Sequence, residues 1–219
     1  MNVLENPRGR RQRIVTQWEA RRILASADIP VVRETLVFTR PEAALAAREI
    51  GYPIALGPWS PRGDAATNAL RDLGDEGALF SAFDRLERER GAGEFGLLVQ
   101  ETLRDERPLR ASFQPDGIGG AFVTLGIGGV YRQLVRDEVR RPAPLGREDA
   151  REMITALRAA PLLGAWGGLP PLSFDALAAL LDRLGRVGTA FPELSEIRLE
   201  SILARDDRPV CLDALVAFA

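Results

Sequence analysis

Apolar positions along the chain switch period in a definite order. Thr16 stands three residues before Glu19, the spacing of a capping box, and Trp18, Ile23, Leu24 and Ala27 then fall on one helical face until Asp28-Ile29-Pro30 ends the run. This predicts a first helix over residues 17–27. Residues 32–38 are extended and β-branched, and Thr39 with Glu42 repeats the cap spacing with Pro41 in the first turn of an Ala-rich helix closed by Gly51. Residues 52–56 then predict a strand. A helical pattern in Leu79, Phe83 and Leu86 stops at Arg90-Gly91-Ala92-Gly93, where a lobe boundary is expected.

Beyond that stretch, residues 96–102, 109–113, 121–125 and 130–135 are short apolar runs between turn residues, predicting an antiparallel sheet. Ala150, Met153, Ile154 and Leu157 keep helical spacing, and Ser173 caps a helix with an apolar stripe of Leu177, Leu180, Leu181, Leu184 and Val187. Both stripes read as core. Residues 197–204 and 210–218, joined through Arg-Asp-Asp-Arg-Pro, predict a terminal hairpin.

With 219 residues, 46% of them hydrophobic, and a mean hydropathy of −0.08, the chain can bury the core of a soluble domain or of two joined lobes. A net charge of −2, from 29 basic and 31 acidic residues, supplies no long-range field toward nucleic acid or an anionic membrane. The one basic cluster, Arg8, Arg10, Arg11 and Arg13, lies beside Pro7 and Gly9 without apolar periodicity, so residues 1–13 are expected to form a flexible, solvated tail. A single cysteine, Cys211, excludes an internal disulfide. With neither a signal-like apolar segment nor an apolar run long enough to span a bilayer, a cytoplasmic location is expected. Histidine is absent, which removes the commonest general base and metal ligand and any phosphohistidine carried by this polypeptide.

Several segments in series carry more information than any one of them. Trp18-Glu19-Ala20-Arg21-Arg22-Ile23-Leu24, Ile50-Gly51-Tyr52-Pro53-Ile54-Ala55-Leu56, Ser60-Pro61 and Leu98-Val99-Gln100-Glu101 come first. Leu125-Gly126-Ile127-Gly128-Gly129-Val130, Arg141-Pro142-Ala143-Pro144-Leu145, Glu148-Asp149-Ala150-Arg151-Glu152-Met153-Ile154, Pro161-Leu162-Leu163 and Leu212-Asp213-Ala214 follow. From about Ile14 to the end, the series resembles the ATP-grasp part of ADP-forming acyl-CoA synthetases, the β subunit or C-terminal part of those enzymes. The resemblance implies an α/β (α+β) ATP-grasp fold with two lobes, residues 14–91 and 92–219, each a mostly antiparallel sheet covered by helices. In that family the ATP-grasp subunit binds Mg-ATP and exchanges a phosphoryl group with a histidine, while a CoA-binding companion handles the acyl phosphate and CoA. ATP or ADP with Mg²⁺, and a CoA-binding acyl-CoA synthetase-like partner subunit, are the implied cofactors and partner; self-association is left open, and neither nucleic acid nor a membrane is expected.

Residue by residue, the resemblance puts nucleotide contacts at Gln100, Glu101 and Thr102, where the family has its adenine hinge, at Gly128 and Gly129, and at Arg141. Glu200 and Asp213 fall where the family pairs an asparagine with an aspartate as oxygen ligands for Mg²⁺. The sequence also departs from the pattern. Gly57 stands where a lysine usually offsets phosphate charge, Gln133 where an acidic residue is usual, and Gly167 where an arginine is usual. The loop after Ser60-Pro61 is shortened, and Arg62 is its one candidate for replacing phosphate-binding charge. Plainer roles stand beside these: turn glycines at 128 and 129, a loop-covering Arg141, an exposed Arg62, and solvated carboxylates at 200 and 213. Together these residues predict an ATP-grasp module with a degenerate phosphate site, weakly nucleotide-binding or non-catalytic; the alternative is an active ADP-forming acid-thiol ligase subunit.

Overall fold

The computed structural model describes residues 2–5, 11–60, 69–89, 96–104, 107–165 and 167–219. The chain forms two compact units, Val32–Thr102 and Val3–Val31 with Leu103–Ala219.

The smaller unit runs strand, helix, two strands, helix, strand. Its strands β3 (Glu34–Val37), β4 (Ile54–Trp59), β5 (Leu70–Leu73) and β6 (Gly96–Glu101) form an antiparallel sheet in the order β3-β6-β4-β5. Helices α2 (Arg40–Ile50) and α3 (Glu76–Glu89) supply Ala43, Ala47, Leu79 and Phe83 to a core that also takes Val37, Ile54, Leu56, Leu97 and Val99 from the strands. Thr39 caps α2 as its spacing predicts, accepting a hydrogen bond from the Glu42 N–H. Because Ile54 and Leu56 face the helices, period two turns Ala55 and Gly57 to the other face of the sheet.

The larger unit is built on a seven-stranded sheet. Strands β1 (Asn2–Glu5), β2 (Arg11–Ile14), β7 (Leu109–Pro115), β8 (Ala121–Ile127), β9 (Glu138–Pro142), β10 (Leu194–Arg205) and β11 (Arg208–Phe218) take the order β1-β2-β11-β10-β7-β8-β9. Every ladder from β2 to β9 is antiparallel. Helices α1 (Gln17–Ser26), α5 (Arg147–Thr155) and α6 (Phe174–Ala190) contribute Leu24, Met153, Ile154, Leu177, Leu181 and Leu184 to a core closed by Phe113, Val123, Leu125, Ile197, Leu199 and Val216. The Thr16–Glu19 capping box forms at the start of α1, and Ser173 caps α6.

Four features differ from the sequence expectations. The units divide differently from residues 14–91 and 92–219: α1 packs with the larger unit through β11, whereas β6 is an inner strand between β3 and β4 and cannot leave the smaller one. The stretch expected to be a tail holds β1 and β2, and β2 pairs with β11 through Ile14↔Ala217 and Arg13↔Phe218. Edge pairing of this kind uses main-chain groups and needs no apolar period. Residues 130–135, expected as a strand, form a 3₁₀ turn (Gly129–Tyr131) and a short helix α4 (Arg132–Val135). Both edges of β8 are already taken, by β7 and β9. The strand β9, Glu-Val-Arg-Arg-Pro, is a charged edge strand that alternation of apolar residues does not reveal.

Candidate functional site

The hinge residues close the smaller unit. Glu101 is 4% exposed, and its carboxylate receives the Arg33 N–H at 2.8 Å and the Arg33 Nε–H at 2.9 Å. The Glu101 N–H donates to the Arg33 carbonyl at 3.0 Å and the Thr102 N–H to the Pro53 carbonyl at 3.4 Å. Both main-chain donors at the end of β6 are therefore used within the unit. Gln100 donates through Nε2 to Glu34 at 3.1 Å, and the Thr102 hydroxyl is buried with no hydrogen-bond partner among the described residues. Arg62 and its loop lie outside the described residues.

The other predicted residues belong to the larger unit. In β10 and β11, Leu199 faces Ala214 and Ser201 faces Asp213, so Glu200 is an extra residue in the ladder; a second irregularity between Ser201 and Ile202 leaves Leu212 extra on β11. Such paired bulges re-aim side chains without breaking a sheet. The Leu212 carbonyl instead accepts a hydrogen bond at 3.1 Å from Arg21, a buried arginine of α1. Gly128 and Gly129 are fixed by close backbone approach. A Cβ on Gly128 would come within 3.0 Å of the Leu109 carbonyl, and Gly129 adopts φ +62° with its Cβ position 2.8 Å from the Pro108 ring. Arg141 pairs with Val123, a core residue, so it points to the helix-covered side of the sheet; its neighbour Arg140 pairs with Thr124 on the open side and stacks 3.7 Å over the Phe122 ring. The side chain of Gln133 lies outside the described residues.

On that open side, period two along β7 and β10 presents charged and polar side chains around a pocket of about 270 Å³. Glu138 pairs with Arg110, and Gln114 donates to Glu196 at 2.6 Å. Arg198 lies 3.5 Å from Glu196 through Nε and 3.1 Å from Glu200 through Nη1, and Arg132 reaches the second oxygen of Glu200 at 3.5 Å. Each oxygen of Glu200 thus meets a guanidinium. The Nε atoms of Arg110 and Arg198 are buried with no hydrogen-bond acceptor among the described residues. Of these residues the sequence singles out Glu200, with Arg198 as a candidate surface ion-pair partner. The signal was there, in Arg110-Ser112-Gln114 and Glu196-Arg198-Glu200 at period two, but such a pattern reads first as a solvated strand face.

A further sequence fact bears on this face. The chain contains no lysine; all 29 of its basic residues are arginine. Among the described residues, no group of three or more acidic, histidine or cysteine side chains is placed to hold a metal ion, and no helix is long and apolar enough to cross a membrane.

Comparison with known proteins matches an ATP-grasp domain family over residues 7–218. The beta subunit of acetate–CoA ligase [ADP-forming] I from Pyrococcus furiosus is 29% identical over 210 residues, covering 92% of this chain and 90% of that subunit. The structure of ACD1 from Ca. Korarchaeum cryptofilum in complex with coenzyme A superposes with a TM-score of 0.84 at 30% identity, covering 97% of this chain and 95% of that one. A second structure from that organism, a dinucleotide-forming acetyl-coenzyme A synthetase 1 with coenzyme A and Mg-AMPPCP, its phosphohistidine segment pointing towards the nucleotide-binding site, gives a TM-score of 0.82 at 29% identity over 94% of this chain and 93% of that one.

Proposed function

The chain belongs to the ATP-grasp domain family, is related to the β subunits of ADP-forming acetate–CoA ligases, and from that premise we propose that it is a degenerate module of that type. It serves as a weakly nucleotide-binding or non-catalytic subunit beside a CoA-binding, acyl-CoA synthetase-like partner. The observation that carries this reading is the complete absence of lysine, with Gly57 at the strand position where the resemblance expects one. Phosphoryl transfer depends on cations that position and neutralise the phosphates. Each charge-assisted phosphate contact contributes about 1.5–3 kcal/mol, so losses at Gly57 and Gly167 together remove about two to four orders of magnitude in affinity or rate.

The hinge supports the same reading. Adenine recognition by main-chain groups requires free donors, and the Glu101 and Thr102 N–H groups are already bonded to Arg33 and Pro53. When bound, Mg²⁺ would neutralise phosphate charge, and Glu200 and Asp213 are the carboxylates at the positions the resemblance implies. Their fit is poor as they stand, because both oxygens of Glu200 face guanidinium groups.

An active ADP-forming synthetase subunit is the second reading. Its support is the 29% identity to the β subunit of an ADP-forming acetate–CoA ligase over nine-tenths of both chains. Calorimetric titration with ATP and with ADP, with and without Mg²⁺, separates the two. Weak or undetectable binding, together with no phosphate exchange between ATP and ADP when a CoA-binding partner subunit is added, is the expected result. Micromolar, Mg²⁺-dependent binding with exchange overturns the degenerate reading in favour of the active one.

A further inference from the structure

The open face of the larger sheet holds its charges in an arrangement suited to an anion. We infer that Arg132 and Arg198 stand in place of the divalent metal at this face, so that the pocket binds polyphosphate without magnesium. This rests on the proposal that the face is the phosphate region of a degenerate ATP-grasp site, and it departs from the Mg²⁺ dependence that the family implies.

Magnesium takes oxygen donors in a strict octahedron. A carboxylate ligates it through lone pairs that are open to the ion, yet Glu200 presents one oxygen to Arg198 at 3.1 Å and the other to Arg132 at 3.5 Å. A divalent cation entering there must displace two guanidinium groups and remain beside them, against like charge. Asp213 faces Ser201 across the ladder and does not line the pocket. The metal therefore does not fit the residues present.

An anion does fit. Arg110, Arg132 and Arg198 converge on one pocket; among the described residues the Nε–H of Arg110 has no hydrogen-bond acceptor, and that of Arg198 has only Glu196, at 3.5 Å. Buried donors of this kind are normally satisfied. A phosphate oxygen offers the missing acceptor and matches the guanidinium fork. The present partners are not a serious obstacle: the side chains of Arg132 and Arg198 are 48% and 37% exposed and that of Glu200 is 35% exposed, and ion pairs so open to water contribute little. A polyphosphate can take over a guanidinium from Glu200 without leaving a buried charge unpaired. Three arginines against Glu138, Glu196 and Glu200 leave the empty face near neutral, so this face gains attraction for anions only as its internal pairs exchange.

The test uses the full chain and two probes, inorganic tripolyphosphate by calorimetry and Mn²⁺ alone by electron paramagnetic resonance. Tripolyphosphate is expected to bind in EDTA at least as tightly as in Mg²⁺, and Arg198→Ala or Arg132→Ala to weaken it about tenfold. Glu200→Gln, which releases both guanidiniums, is expected to leave that binding equal or tighter, and Mn²⁺ to show no saturable site. Thermal unfolding of each variant controls for loss of fold, and the two arginine variants lie on different elements. Absence of tripolyphosphate binding in EDTA, or a saturable Mn²⁺ site abolished by Glu200→Gln, overturns the inference. Tripolyphosphate binding in EDTA supports this inference whether or not ADP binds, whereas weak ADP binding that requires Mg²⁺ overturns it and leaves the degenerate reading standing.

Discussion

Arg33 grips Glu101 twice, through its main-chain N–H at 2.8 Å and its Nε–H at 2.9 Å, and so ties the residue before β3 to the last residue of β6. The carboxylate is 4% exposed while the arginine side chain is 54% exposed. A buried charge paired with a solvated partner depends on that partner more than the partner depends on it.

Truncating each member of the pair should accordingly give unequal results. Glu101→Gln keeps the shape and one acceptor, and is expected to cost about 1–2 kcal/mol in urea denaturation. Arg33→Ala keeps the main-chain donor but takes the guanidinium away from a nearly buried carboxylate, and is expected to cost more, about 3 kcal/mol. The double variant should cost less than the sum. Strict additivity would show that the pair is not coupled.

Helix α6 crosses β7 where Gly188 meets Phe113, and a methyl group on Gly188 would overlap the aromatic ring. Phe113 is 2% exposed and sits inside the main core, so it has no free space to retreat into. Gly188→Ala is expected to destabilise the chain by about 1–3 kcal/mol despite the better helix propensity of alanine. Adding Phe113→Leu should recover part of that loss. A Gly188→Ala variant as stable as the parent would mean that the helix can shift freely on the sheet.

Helix starts were readable from sequence because caps are local chemistry. Thr16 with Glu19, Thr39 with Glu42, and Ser173 each place a side-chain oxygen where an unpaired N–H must be met, and all three helices begin there. Residues 130–135 misled because a β-branched run says nothing about whether a strand edge is free, and in the fold Val130 is 82% exposed on a helical turn. The strand–turn–strand pattern was enough to place the terminal hairpin, and the family resemblance singled out Gln100, Glu101 and Thr102 and the pair Glu200 and Asp213. The resemblance did not reveal the arginines around Glu200, since the bulge that sets that side chain depends on the register of two strands and on Arg21 reaching the Leu212 carbonyl. Register is a property of the assembled sheet.

Tyr52 gives the chain an alkaline sensitivity. Burial raises its pKa above the ordinary tyrosine value, the charges of Glu76 and Asp75 add to the rise, and Arg48 opposes it. Its hydroxyl has no hydrogen-bond partner among the described residues. The folded state therefore holds the phenolic proton more tightly than the unfolded state. This contribution is fully present below the unfolded tyrosine pKa and is lost as pH rises through the folded one. In urea denaturation across an alkaline series, the parent should lose stability faster than Tyr52→Phe, while at neutral pH the two should agree within about 1 kcal/mol. Parallel pH profiles would show that Tyr52 does not contribute.

Gly57→Lys probes how much of the phosphate site a single charge restores. Gly57 lies on β4 opposite Leu98, on the face of the smaller sheet that the helices leave open, and a Cβ there would sit 3.2 Å from the Ala69 Cβ. A small shift of Ala69 accommodates it, so the stability change should stay within about 1 kcal/mol. One ammonium adds one charge-assisted contact, which sets the gain in ADP affinity at about tenfold. Turnover should not follow, because Glu200 remains bound to Arg132 and Arg198 and the variant creates no metal site. ATP–ADP phosphate exchange by Gly57→Lys, assayed with a CoA-binding subunit of a related synthetase, would instead mean that the missing lysine alone separates this chain from an active one. Unchanged ADP affinity would mean that the hinge, with its N–H groups already bonded to Arg33 and Pro53, limits binding before the phosphates do.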